Sequence, residues 1–159
     1  MVIVNIETSG KHQKLIRGFT RFENEMKDLR EPFKMIIKDF YAVEEVNFVS
    51  GGRPEKFAPI DKKYEAMKKR KYPGKTIMRL HDNLFNALTG RKPSDTSKAK
   101  SDIKIRKNSL YLGVISPYFL VQESRGRKAI QLTPEIKRRW AEIIHKWAYQ
   151  KYKNEVIEE

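Results

Sequence analysis

FVSGGRPEKFAPIDKKYEAMKKRKYPGKTIMRLHDNLFNALTG, residues 48–90, is interrupted too often to be one long element. Gly51-Gly52 makes a turn, and Phe57-Ala58-Pro59 follows it. A lysine-rich helix then runs through Tyr64, Pro73-Gly74 breaks it, and an apolar helix ends at Gly90. Helices do not absorb Pro59 or Pro73-Gly74, so this middle third consists of short pieces, each separately terminated.

Asp61 stands just before the run 62–71, in which Tyr64 and Met67 are the apolar members. Spaced three apart they share one side, which leaves Lys62, Lys63, Lys68, Lys69 and Arg70 exposed, with Lys71 closing the run. Ile77, Leu80, Leu84, Phe85 and Leu88 predict the next amphipathic helix, with Gly90 as its stop. Residues 91–101 contain no large apolar side chain and read as a mobile, basic loop that includes Arg91 and Lys92.

Towards the N-terminus, Val2, Val4 and Ile6 alternate with Ile3, Asn5 and Glu7, which predicts a strand over residues 1–7. Thr8 or Ser9 can cap the helix that follows. Leu15, Phe19, Phe22, Met26, Leu29 and Phe33 then recur at spacings of four and three, a stripe suited to packing along another helix. Pro32 interrupts it with a kink or a new start, because proline suits the first turn of a helix. Phe33, Ile36, Ile37, Phe40 and Tyr41 carry a second helical segment towards Phe48, ended by Gly51-Gly52. Such an aromatic stripe is core before it is anything else, although docking on a neighbouring subunit would bury the same side chains.

Towards the C-terminus, Ile103 and Ile105 alternate with polar residues, and residues 110–115 form a second strand, so the two read as a β-hairpin. Pro117-Tyr118 turns the chain into a short segment ending near Gly126. Residues 129–132 are a candidate third strand. Thr133-Pro134-Glu135 then starts a helix with a cap and a proline at its first position. Ile136, Trp140, Ile143, Ile144 and Trp147 give that helix its buried face, and residues 155–159 are expected to fray.

The chain has 159 residues and no cysteine, so it is one domain of ordinary size without disulfides or thiolate chemistry. It has no basic leader with an apolar core, and no run approaches the ~18 apolar residues of a membrane span. The expectation is a soluble chain that accumulates in a cytoplasm, with no membrane contact. Its formal net charge of +14 is uneven. Residues 1–50 carry 8 basic and 8 acidic side chains, residues 51–110 carry 17 and 6, and residues 111–159 carry 9 and 6. The middle segment is therefore the cationic part, able to steer an acidic partner or to serve simply as a solvated face.

Nothing in the sequence assembles chemistry. His12, His81 and His145 fall in three predicted helices without partners at metal-ligand spacing. Gly51-Gly52 lacks the Gly-Lys-Ser/Thr that would make a phosphate loop, and no serine sits in a nucleophile elbow. Glu23/Glu25 and Glu44/Glu45 point away from each other on a helix and make poor acid–base pairs. The expectation is no catalytic residue, no metal and no cofactor.

Nucleic-acid binding has a broader basis. Arg53, the lysines of residues 62–75 interleaved with Tyr64 and Tyr72, Arg91-Lys92 and Arg125-Gly126-Arg127-Lys128 could line a phosphate-contacting surface. A helix-turn-helix over residues 60–90 is the nearest motif. Pro73-Gly74 and the short first helix leave little to brace a recognition helix.

The order of signals resembles the phage virion morphogenesis family, small tail-completion and head–tail joining proteins of Mu-like and other long-tailed phages. The matching residues are Gly51, Gly52, Phe57, Ala58, Pro59, Tyr64, Lys68, Pro73, Gly74, Leu80 and Leu84. Pro117-Tyr118 before Gln122 and Gly126 resembles the family's later Pro-Tyr-Ala, His-Gln and Gly region. The departures are Phe57 where Trp is usual, His81-Asp82 where Thr-Gly is common, and Phe119 and Glu123 where small and Gly-adjacent residues are expected.

The resemblance implies an α+β domain over residues 1–159, with long N-terminal helices and a C-terminal helix packed on a small, mostly antiparallel β-sheet. It further implies a non-enzymatic virion part of the neck, assembled as a ring, hexameric in expectation, with head-closure, tail-terminator or tube proteins as partners. Transient contact with passing DNA belongs to the same picture. The motif residues are then packing and assembly residues, with Phe57-Ala58-Pro59 pinning a loop to the core.

Overall fold

A computed structural model of the chain describes residues 10–157. The strand expected over residues 1–7, its caps at Thr8 and Ser9, and the last two residues lie outside them. The helices are α1 (Gly10–Met26), α2 (Arg30–Val49), α3 (Lys62–Lys71), α4 (Asn83–Leu88), α5 (Phe119–Ser124) and α6 (Pro134–Tyr152). A π-helical turn, Lys153–Ile157, follows α6. The strands β1 (Lys100–Ile105) and β2 (Leu110–Ile115) pair antiparallel, so the architecture is α+β as expected.

α2 is the spine. Pro32 lies in its first turn, where the missing N–H leaves no intrahelical bond unmade, so the proline starts a new helix rather than kinking an old one. Phe33, Ile36, Phe40 and Phe48 are buried along one face. α6 runs antiparallel to it: Trp147 Nε1 donates to Glu31 Oε2 at 2.9 Å, and Trp140 Nε1 to Asp39 Oδ2 at 2.7 Å. Thr133 caps α6, its hydroxyl accepting from Ile136 N at 3.2 Å, and Pro134 begins the helix. At the far end of α2 the rings of Phe48 and Phe85 meet edge to face at 5.7 Å, seating α4.

The hairpin covers this core with Leu112 and Val114, while Tyr111 and Ile115 on the opposite face remain exposed. Its turn is held to the α1–α2 joint by Leu29 N donating to Lys107 O at 2.7 Å. α1 rests on the C-terminal end of α6, where Tyr152 receives Phe19 and Phe22 at 6.2 and 5.6 Å. Leu15, Ile16 and Phe19 remain exposed, so the first part of the aromatic stripe is not core within this chain.

Two expected elements fail, and β1 takes Lys100 and Ser101 from the end of the loop expected over residues 91–101. Residues 129–132 are not a strand. Ala129 gives its carbonyl, an acceptor a ladder would need, to Asn47 Nδ2 at 2.7 Å, and the Gln131 side chain bonds the Glu55 backbone. The helix expected from Ile77 begins only at Asn83. Met78 and Asp82 have φ of 67° and 54°, left-handed backbone that breaks a helix. Thr76 is drawn off to the Phe48 carbonyl at 2.6 Å, and Asp82 is held by Lys75 and by Arg79, the latter at 2.9 Å.

Candidate binding cleft and cationic surface

The loop after α2 is fastened twice. Gly52 N donates to Asn47 O at 2.8 Å and Phe57 N to Gly51 O at 2.9 Å, folding the chain back on the helix end. Gly52 has φ +107°, and a Cβ there would come within 2.4 Å of Phe57 N, so only glycine fits. Phe57 is buried with its ring 5.9 Å from Phe48. The second fastening comes from the other end of the sequence. Ala58 N donates to Gly126 O at 3.3 Å. The Arg127 guanidinium donates to Ala58 O at 2.9 Å, Pro59 O at 2.8 Å and Gln122 Oε1 at 3.0 Å. The two stretches that carried the resemblance, 57–59 and 117–126, thus meet around one arginine.

Beside this clasp lies a cleft of about 540 Å³ between α3, the turns before α4, and α5. Ile60, Ile77, Met78, Leu80 and Leu84 supply its apolar wall, with Tyr64 and Tyr118 at the exposed rim. Asp61 organises α3 by accepting from Lys63 N at 2.9 Å and Tyr64 N at 3.2 Å. The expected exposure holds for Lys62, Lys63, Lys69 and Arg70 but fails at Lys68. Lys68 is 5% exposed, whereas Tyr64 and Met67 are 40% and 36% exposed. Lys68 points inward with its Nζ donating to the Thr76 carbonyl, which also accepts from Arg79 N at 3.1 Å.

Lys68 and Arg127 both line the cleft under strain of the same kind. Burial lowers the Lys68 ammonium's pKa, and Arg79 and Lys75 push it the same way, against Asp82. Burial likewise lowers Arg127, and Arg125 adds to it. Burial opposes ionisation of Asp82, yet hydrogen bonds and charge from Arg79 and Lys75 hold its carboxyl below the usual range. Arg79 and Arg91 also lie over the Phe85 ring, 4.1 and 4.9 Å from its centroid.

The remaining cations of the middle segment divide by setting. Lys69 pairs with Glu65 at 2.7 Å, Arg91 with Glu45 at 2.5 Å and Lys128 with Glu55 at 3.5 Å. Lys71 lies near the Tyr72 ring, 5.7 Å from its centroid. Arg53, Lys62, Lys63, Arg70, Lys92 and Arg125 are exposed and make no ion pair among the described residues. Pro73, Gly74 and Pro117 are exposed turn residues, Gly74 with φ +75° and nothing near its Cβ position. The helix-turn-helix alternative meets an α4 of six residues, too short for an ordinary recognition helix.

Sequence reasoning set Glu44 aside as half of a poor carboxylate pair. It is fully buried, Oε2 accepting from Asn47 Nδ2 at 3.1 Å and Oε1 without a partner among the described residues. Burial raises its pKa from 4.5 to about 8. The signal was available: Glu44 lies four residues from both Phe40 and Phe48, on the same inward stripe. His81 is in the turn before α4, edge-on to Tyr72 at 5.7 Å, rather than in a helix. Among the described residues no group of three or more His, Asp or Glu could hold a metal, and no helix is long and apolar enough to cross a membrane. Comparisons with protein-family models, curated proteins and solved structures give no match.

Proposed function

We propose that the chain is a non-enzymatic structural protein of the phage neck, acting in tail completion and head–tail joining as a ring-forming connector subunit. It would accumulate in the host cytoplasm and end in the virion. The resemblance over residues 48–126 supports this reading. The observation that carries it is the pair of exposed apolar faces on separate elements. Leu15, Ile16 and Phe19 are exposed at helical spacing on α1, and Ile115, Leu120 and Val121 are exposed at the end of β2 and on α5. A ring subunit needs two unlike faces, because each interface joins one to the other. Single exposed apolar residues are ordinary, but clusters of large ones mark association surfaces.

Native mass spectrometry and light scattering on the full chain, alone and with candidate neck proteins, test the proposal. A closed oligomer of one size is expected, and Phe19→Asp or Leu120→Asp should reduce it to monomer. Monomer under every condition would refute the ring. A second reading, phosphate binding, has its own support in the exposed row Lys62, Lys63, Arg70 and Lys71 on α3. It requires affinity for DNA that falls steeply and linearly in log–log form with salt.

A further inference from the structure

The cleft beside the Arg127 clasp combines an apolar floor with unbalanced charge. Lys68, Lys75, Arg79, Arg125 and Arg127 lie in or next to it, against the carboxylates of Asp61 and Asp82. Both carboxylates are already used, Asp61 by the start of α3 and Asp82 by Lys75 and Arg79. Lys68 and Arg127 are each 9% exposed or less, and each has a further cation nearby. Among the described residues only Asp82 offsets Lys68, without pairing with it, and no carboxylate pairs with Arg127. An anion entering the cleft would compensate both, with interactions strengthened by partial exclusion of water.

The floor decides what kind of anion. Ile60, Ile77, Met78 and Leu80 are half-buried, and Tyr118 at the rim is 51% exposed. A bare phosphate or a polynucleotide backbone has nothing to place on that floor. A side chain of leucine or phenylalanine does, and would remove apolar area at about 25 cal/mol per Å². We propose that this cleft is a docking site for a segment of a partner protein in which a carboxylate side chain lies beside a large apolar one. The inference goes beyond the neck reading and holds whether or not the chain belongs to a phage.

The test uses the full chain and two dansylated peptides, Glu-Leu-Phe-Leu-Glu-amide and its Gln-for-Glu analogue, followed by fluorescence anisotropy. The acidic peptide should bind at least tenfold tighter than the neutral one. Arg125→Glu, an exposed site on the rim, should erase that preference while the circular dichroism spectrum stays unchanged. Lys62→Glu, the same charge change outside the cleft, should leave it intact. Tyr118→Ala should weaken both peptides alike, since it removes wall without charge. Equal binding of the two peptides, or equal loss from Lys62→Glu and Arg125→Glu, overturns the proposal. So does a random DNA duplex that binds in an Arg125-dependent way while the peptides show no preference, which would point to phosphate.

Discussion

Arg127 Nε donates to the carbonyl of Ala58 at 2.9 Å, joining residues 69 apart in the chain. Its second nitrogen reaches the next carbonyl, Pro59, at 2.8 Å, so one planar fork spans two consecutive backbone oxygens. A proline cannot anchor a loop through its own nitrogen, and Ala58 has little to bury. Apart from Phe57, the loop is therefore held through its backbone, by the two carbonyls and by Ala58 N donating to Gly126 O at 3.3 Å.

Arg127→Ala should destabilise the chain by about 2–4 kcal/mol, because the two carbonyls and Gln122 lose a charged donor. Arg127→Lys should recover less than half, as a point charge cannot span both oxygens. Urea unfolding followed by circular dichroism measures both. Equal stability of Lys and Arg at this position would show that charge alone matters.

Glu44 predicts a pH dependence. Its folded-state pKa, about 8, is above the ordinary 4.5, so the folded state holds the proton more tightly than the unfolded one. Stability is full below the unfolded value and falls as pH rises from 4.5 to about 8, then levels off. At roughly 1.4 kcal/mol per pH unit the loss across that window is several kcal/mol. Glu44→Gln should flatten the profile and raise the melting temperature at pH 9 while changing little at pH 4. A variant with the same slope as the parent would move the cause elsewhere.

The adjacent glycines should respond very differently to alanine. At Gly51, φ +74° with nothing within 4 Å, the cost is about 1 kcal/mol of backbone strain. At Gly52 the added Cβ meets the Phe57 and Glu55 backbone at 2.4 and 2.5 Å, so the loop must move and several kcal/mol are lost. Thermal melts of the two variants decide it, with Gly52→Ala the lower by a wide margin.

Asp39 accepts from both Trp140 Nε1, at 2.7 Å, and Arg139 Nη2, at 2.9 Å, across the α2–α6 interface. Asp39→Ala should cost about 1–3 kcal/mol by leaving the indole N–H without its acceptor. Combined with Trp140→Phe, the two losses should fall short of additivity by about 1 kcal/mol. Strict additivity would mean the contact carries no net energy.

Legibility in the sequence followed how local the cause was. The start of α6 was readable because Thr133 and Pro134 act within one turn, and the hairpin because its alternation repeats every two residues. α4 was read too long because Ile77 and Leu80 kept helical spacing. That spacing could not show Thr76 bonding Phe48, 28 residues away, nor Asp82 gathering two cations. The third strand failed for the same reason, with Asn47 taking the Ala129 carbonyl across 82 residues. Of the cleft, the sequence showed the wall residues Leu80 and Leu84 and the rim residues Tyr64 and Tyr118, but not that they share one cavity.

Period, cap and turn chemistry belong to neighbours along the chain, so composition, charge segregation, the β-hairpin and most helix starts were set by the sequence read locally. Which lysine turns inward, which arginine bridges two carbonyls and which glutamate loses its charge were decided only by folding. Burial and hydrogen-bond partners are properties of three-dimensional proximity, and a side chain's ionisation follows the dielectric and charges that packing brings to it.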